Sequence, residues 1–206
     1  MKLSNKGNMI MNIESYKYCN NSFQDFLQSQ SIVQSAMGLI KKNAKSLDFY
    51  EYHFIPCTKV CYDLAGDSEE DKLDAVLLGL FHDYGKFFIR DIDNHEIIGA
   101  EKAKEFLISN GYDYVRTIEI VEAIKNHKGN ANDKSISNLS KIIINADSIS
   151  YIQQIDYFFN YLIDNGCSRE QAEKITEEKI KHNKDRMDSS GHNYLQSLIK
   201  EEELRK

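Results

Sequence analysis

Four of the six histidines, His53, His82, His95 and His127, fall at the end or on the inner face of a segment whose apolar residues recur every three or four positions. Two such stripes also end on a carboxylate. One runs through Leu73, Val76, Leu77, Leu80 and Phe81 into His82-Asp83, the other through Ile136, Leu139, Ile143 and Ala146 into Asp147. A carboxylate at a core-facing position is costly unless positive charge compensates it. A divalent ion does so, taking neutral imidazole nitrogens and carboxylate oxygens as ligands. Taken one at a time, each histidine reads more plainly as a hydrogen-bonded core residue, and Asp147 as a helix residue facing water. Together, on separate segments and all inward, they point to a metal centre. Cys57 lies one helical turn from His53. A thiolate ligand there would favour zinc, and its plainer reading is a small buried apolar residue. His182 and His192, in a polar stretch, read as surface residues.

The elements that must position these groups are helices. A frayed start to about residue 12 precedes helices expected around Ile13–Leu27 and Ile32–Ala44. The segment 52–65 puts His53, Cys57, Val60, Cys61 and Leu64 on one face. Gly66-Asp67 ends it, and Asp67 with Glu70 makes a capping box for the helix that carries His82 and Asp83. Asn94 is the expected N-cap of a helix bearing His95, Ile98, Gly99, Lys102, Ala103 and Phe106, which stops at Asn110-Gly111. Gly129 stops the helix that leads to His127. Ser168 and Gln171 form a second capping box, and the charged helices beyond it break at Ser189-Ser190-Gly191.

One proline and ten glycines in 206 residues disfavour a strand-and-turn architecture, so the expected class is all-α. No linker or repeat divides the chain. One domain is expected over 13–167, with residues 168–206 as its helical extension. The net charge of −6, without a Lys/Arg block, excludes a broad surface for duplex nucleic acid. A small anionic substrate stays open, because metal ions and a lysine or two make a local positive site. The four cysteines form no CxxC and read as reduced thiols. No stretch approaches the roughly 20 apolar residues of a membrane span, and the expected location is the cytoplasm.

The order His53 … His82-Asp83 … Asp147 resembles the ligand pattern of the HD superfamily of metal-dependent phosphohydrolases, in its small single-domain bacterial branch. The resemblance is carried by YHFIPCTKVCYDLA, LLGLFHDYGKF, HEIIGAEKAKEFL, VEAIKNHKG and KIIINADSIS. It covers about Glu51 to Ile152 and continues loosely into the C-terminal helices. It implies a helical bundle of the HD type, with His53, His82, Asp83 and Asp147 as metal ligands. His95 and His127 match the histidines of members that hold a second metal, Asp83 then bridging; otherwise they orient ligands or contact substrate. Lys86 matches the lysine of an HD-x-G-K variant, aimed at a phosphate oxygen, with a solvated loop lysine as its plainer reading. Lys128 stands where relatives often carry arginine, and it lacks the bidentate fork for a phosphate contact. A glycine-rich phosphate loop and the GYP signature of the cyclic-dinucleotide branch are absent.

The activity implied is hydrolysis of a phosphate ester or anhydride, in a nucleotide by class, by metal-activated water. Asp83 and Lys86 would be the catalytic residues. One or two ions of Mn, Fe, Co, Ni or Zn suit the mixed nitrogen and oxygen ligands better than magnesium. Two alternatives share the ligand set: a di-iron oxygenase and a non-catalytic nucleotide-sensing protein. A small phosphorylated substrate is the expected partner, and a homodimer stays open.

Overall fold

A computed structural model of the chain describes residues 21–44, 47–89 and 94–204, all helical or in short connections, with no strand among them. The all-α expectation is met. The expected frayed start and the first eight residues of the expected helix 13–27 lie outside the described residues, as does Cys19. The helices are α1 (Asn21–Ser29), α2 (Ser31–Asn43), α3 (Leu47–Phe49), α4 (Ile55–Leu64), α5 (Glu69–Phe81), α6 (His95–Ser109), α7 (Tyr114–Asn126), α8 (Asn138–Gln153), α9 (Ile155–Asp164), α10 (Arg169–Arg186) and α11 (Ser189–Leu204).

Two helices are buried on every side and form the frame. In α5, residues 74–81 are all buried, and in α8 so are Ser140 and residues 142–150. A helix apolar all round belongs inside a core. α5 packs against α4, α7, α8 and α2, while α8 packs against α4, α7, α10 and α11. The one buried carboxylate of α5, Asp74, is compensated. Arg116 Nη2 lies 2.8 Å from its Oδ2, and the Tyr112 hydroxyl donates to Oδ1 at 2.5 Å.

Local chemistry sets the helix ends. Ser68, not Asp67, caps α5, accepting from Asp71 N at 3.0 Å. The pair one residue later wins because Ser68 has the extended backbone an N-cap needs. Asn94 precedes α6 but makes no side-chain cap bond. The Ser168–Gln171 capping box forms as expected. The break between α10 and α11 falls at Met187-Asp188, where Asp188 Oδ1 accepts from Ser190 N and Gly191 N; Ser189 and the two residues after it are helical. Gln154 ends α8 and separates it from α9, a break with neither glycine nor proline to announce it.

The segment 52–65 is helical, with one departure. Residues Tyr50–Phe54 form a π-turn, in which Ile55 N donates to Tyr50 O, before α4 begins. Pro56 supplies the reason. Its ring has no N–H for the Tyr52 carbonyl four residues back and would press on it in a regular helix. Widening the preceding turn relieves that contact, and π-turns of this kind often mark functional positions. His53 sits in it.

Candidate metal centre

Each inward histidine and carboxylate arrives from a different element. His53 comes from the π-turn, His82 from the C-terminal end of α5, Asp83 from the turn behind it, His95 from the first turn of α6, His127 from the end of α7 and Asp147 from mid-α8. All six are buried. Gly85 makes the meeting of Asp83 and His95 feasible. A Cβ there would stand 1.9 Å from the His95 carbonyl oxygen, so only glycine lets the 3₁₀ turn Tyr84–Phe87 lie directly on α6.

The side chains form two groups that meet at one carboxylate. His53 Nε2 lies 3.1 Å from His82 Nε2, 3.0 Å from Asp83 Oδ2 and 3.4 Å from Asp147 Oδ1. On the other side, His95 Nε2 lies 3.1 Å from His127 Nε2 and 2.9 Å from Asp83 Oδ1, with His127 Nε2 3.5 Å from that same oxygen. The two triads, His53/His82/Asp147 and Asp83/His95/His127, each have the composition and spacing to hold an ion.

Hydrogen bonds behind the rings show which nitrogen faces inward. His82 Nδ1 lies 2.8 Å from Gly79 O and His127 Nδ1 2.7 Å from Ile124 O; carbonyls only accept, so both Nδ1 atoms carry the proton. Ser150 donates its hydroxyl to Asp147 O at 2.9 Å, leaving Oγ to accept from His53 Nδ1 at 3.4 Å. His95 Nδ1 faces Glu96 Oε2 at 3.7 Å. In their neutral forms, then, these three histidines turn an Nε2 lone pair into the cluster, and His95 is arranged the same way.

Lone pairs on two nitrogens 3.1 Å apart repel unless a proton or cation lies between them. Two ligand atoms each about 2.1 Å from one ion and roughly 95° apart would have this separation. Asp83 Oδ1, among the described residues, receives no hydrogen bond of good geometry although it is fully enclosed. The donor set, its tautomers and this orphaned oxygen all fit a divalent ion on each side of Asp83.

Electrostatics favour the ligand forms of His53 and Asp83; at His82 burial is outweighed by the neighbouring Cys57 and Asp83, which hold the imidazole well above its usual value until a cation takes the place of its proton. Burial pushes the His53 imidazole down, keeping it neutral. At Asp83 burial acts to raise the carboxyl, but the Lys86 ammonium beside it holds it well below the usual range. Burial pushes the Cys57 thiol well up, which disfavours a thiolate, and Cys57 belongs to neither triad.

Among the remaining expected site residues, Lys86 turns inward, its Nζ 2.5 Å from Asp83 Oδ2 and 5.4 Å from the centre of the Phe49 ring. It is not a solvated loop lysine. Lys128 is exposed and pairs with Glu96 Oε2 at 2.6 Å. His182 and His192 are exposed. Sequence reasoning missed Arg186 of α10. Its guanidinium donates to the His127 carbonyl, to Gly129 O at 3.0 Å, and reaches Asp147 Oδ2 at 3.4 Å. It thereby ties α10 to a ligand of each triad. Tyr151 was missed too. Its ring lies 4.4 Å from that of His53, and its hydroxyl interacts with Lys86.

Comparison with known proteins gives one match. The family model described as HD domain covers residues 50–152, from the π-turn through α8. No curated protein and no solved structure matches the chain.

Proposed function

The chain belongs to the HD-domain family, and from that premise we propose that it is a metal-dependent phosphohydrolase with a two-ion centre bridged by Asp83. One observation carries the reading: the two oxygens of a single buried carboxylate face two separate histidine pairs, Oδ2 toward His53 and His82, Oδ1 toward His95 and His127. His53, His82 and Asp147 would hold one ion, His95 and His127 the other. The mixed imidazole and carboxylate set suits Mn, Fe, Co, Ni or Zn.

The chemistry that bound divalent metal supplies here is acidification of water and neutralisation of phosphoryl charge. The chain's own residues do the rest. Asp83, held ionised, accepts a hydrogen bond from the attacking water and orients it. So acidic a carboxylate passes the water proton on rather than keeping it. Lys86, anchored on Asp83 Oδ2, exchanges that contact for a phosphoryl oxygen of the substrate. Ser150, Gly79 and Ile124 keep the imidazole tautomers fixed throughout.

The substrate we propose is a small phosphorylated molecule, a nucleotide by class. The inward lysine favours phosphate over the oxygen chemistry that the same ligand set could support. Incubation of purified protein with a panel of nucleotides and added Mn²⁺, Fe²⁺, Co²⁺, Ni²⁺ or Zn²⁺, with phosphate release as readout, tests the reading. Release from at least one nucleotide, abolished by chelation, is expected; metal-replete protein that releases none contradicts it.

A further inference from the structure

α10 carries a half-buried to buried polar face of which the centre as described uses only Arg186. Thr176, Lys179, Asn183 and Arg186 recur at three- and four-residue spacing, which puts them on one side of the helix. That helix packs on α8, the element of Asp147 and Tyr151, and on α9. Lys179 Nζ sits 4.2 Å from the centre of the Tyr151 ring, and that ring lies 4.4 Å from His53. The Tyr151 ring thus contacts both this ammonium group and the candidate ligand His53.

The three cations near the centre differ in their company. Lys86 answers Asp83, and Arg186 answers Asp147 and two backbone carbonyls. Lys179 has no carboxylate in ion-pair contact among the described residues. Beside it, Asn183 is 1% exposed, and among the described residues neither its amide nitrogen nor its oxygen has a hydrogen-bond partner; Thr176 Oγ1 lacks one as well. Buried polar groups are ordinarily satisfied, so two unpartnered side chains flanking an unpaired lysine mark a place where a polar ligand belongs. Burial presses on the Lys179 charge, as do Lys86 and Arg186, against support from Asp147 and Asp83. An added anion would relieve that repulsion.

We propose that Lys179, with Asn183 and Thr176, forms a second anion subsite that takes the phosphate next to the one attacked. The substrate is then a phosphoanhydride with at least two phosphates, not a phosphate monoester. The inference rests on the phosphohydrolase reading above. In this arrangement the bond from the attacked phosphorus to the bridging oxygen breaks and the water oxygen takes its place. The water proton leaves past Asp83, and the charge left on the departing phosphate faces Lys179.

Calorimetric titration of Mn²⁺-loaded protein with methylenediphosphonate and with methylphosphonate tests this without turnover. Lys179→Gln is expected to weaken the diphosphonate about 10- to 100-fold. Methylphosphonate affinity, metal content and melting temperature should stay near wild type, and Lys179→Arg should restore most of the loss. Equal effects on the two probes, or none on either, overturn the subsite. The nucleotide panel separates the two readings. Phosphate release without diphosphonate preference overturns the subsite alone, while preference without release from any nucleotide overturns hydrolysis and leaves the anion site standing.

Discussion

Asp83 Oδ1 lies 2.9 Å from His95 Nε2, although the two residues sit on different elements. Gly85 permits it, since any Cβ there would collide with the His95 carbonyl. Gly85→Ala should therefore push α6 away, destabilising the protein by about 1–3 kcal/mol as overpacked cores do. It should also lower metal content on the His95/His127 side. Chemical denaturation with elemental analysis checks both; an unchanged variant would mean the turn and α6 are not rigidly opposed.

His82→Ala and Asp83→Ala are each expected to strip metal while far-UV circular dichroism stays helical. Loss of a direct ligand should exceed the 10–100-fold affinity cost typical of groups that only orient one. Asp83→Ala should affect both ions, because its two oxygens face different histidine pairs. Retention of full metal in either variant removes the dipeptide from the centre.

Lys86→Ala should keep metal and melting temperature yet lose about 2–4 kcal/mol of transition-state stabilisation, a 30- to 1000-fold drop in turnover. An exposed charge would be worth at most about 1 kcal/mol. The measurement is kcat on whichever nucleotide the panel identifies, and wild-type kcat in the variant would deny Lys86 its role.

For chelator-treated protein the acid limb of the pH dependence takes its sign from His53, while the raised His82 imidazole acts with the opposite sign above about pH 6.5. Burial depresses the His53 imidazole in the folded state, so below the unfolded value near 6.5 the unfolded chain takes a proton that the folded chain refuses. The stability that His53 contributes is full above about pH 6.5 and falls as pH drops toward the lowered folded value, by up to about 1.4 kcal/mol per pH unit. Thermal melts from pH 6.5 to 5 check it; a flat profile across that window would place a charged His53 imidazole in the core.

Much of this arrangement was legible in the chain itself, for a physical reason. His53, His82, Asp83 and Asp147 terminate or interrupt apolar stripes with helical period, and polar groups in such stripes announce themselves. The helices α5 and α8 were visible the same way. What stayed hidden lacks that contrast. α10 is charged on nearly every side, so the inward face with half-buried Lys179 and buried Asn183 and Arg186 gives no hydropathy signal. The π-turn at His53 follows from Pro56 only once the chain is known to continue helically on both sides of it. The α5 cap moved from Asp67 to Ser68 because adjacent acceptors compete and spacing alone does not choose between them.

His127→Ala separates metal count from metal presence. It removes a ligand from one side only, so a wild type with two ions should fall to about one per chain, with His53, His82 and Asp147 untouched. Complete loss of metal would instead mean that all six residues act as one indivisible site.

The central claim is that one carboxylate joins two ions, and electron paramagnetic resonance of Mn²⁺-saturated protein tests it most directly. Two ions held on the two oxygens of Asp83 are close enough for their spins to couple. The spectrum should therefore show an exchange-coupled pair at two Mn²⁺ per chain, collapsing to an isolated-ion spectrum in His127→Ala. A wild type that saturates at one ion with an uncoupled spectrum would contradict the account.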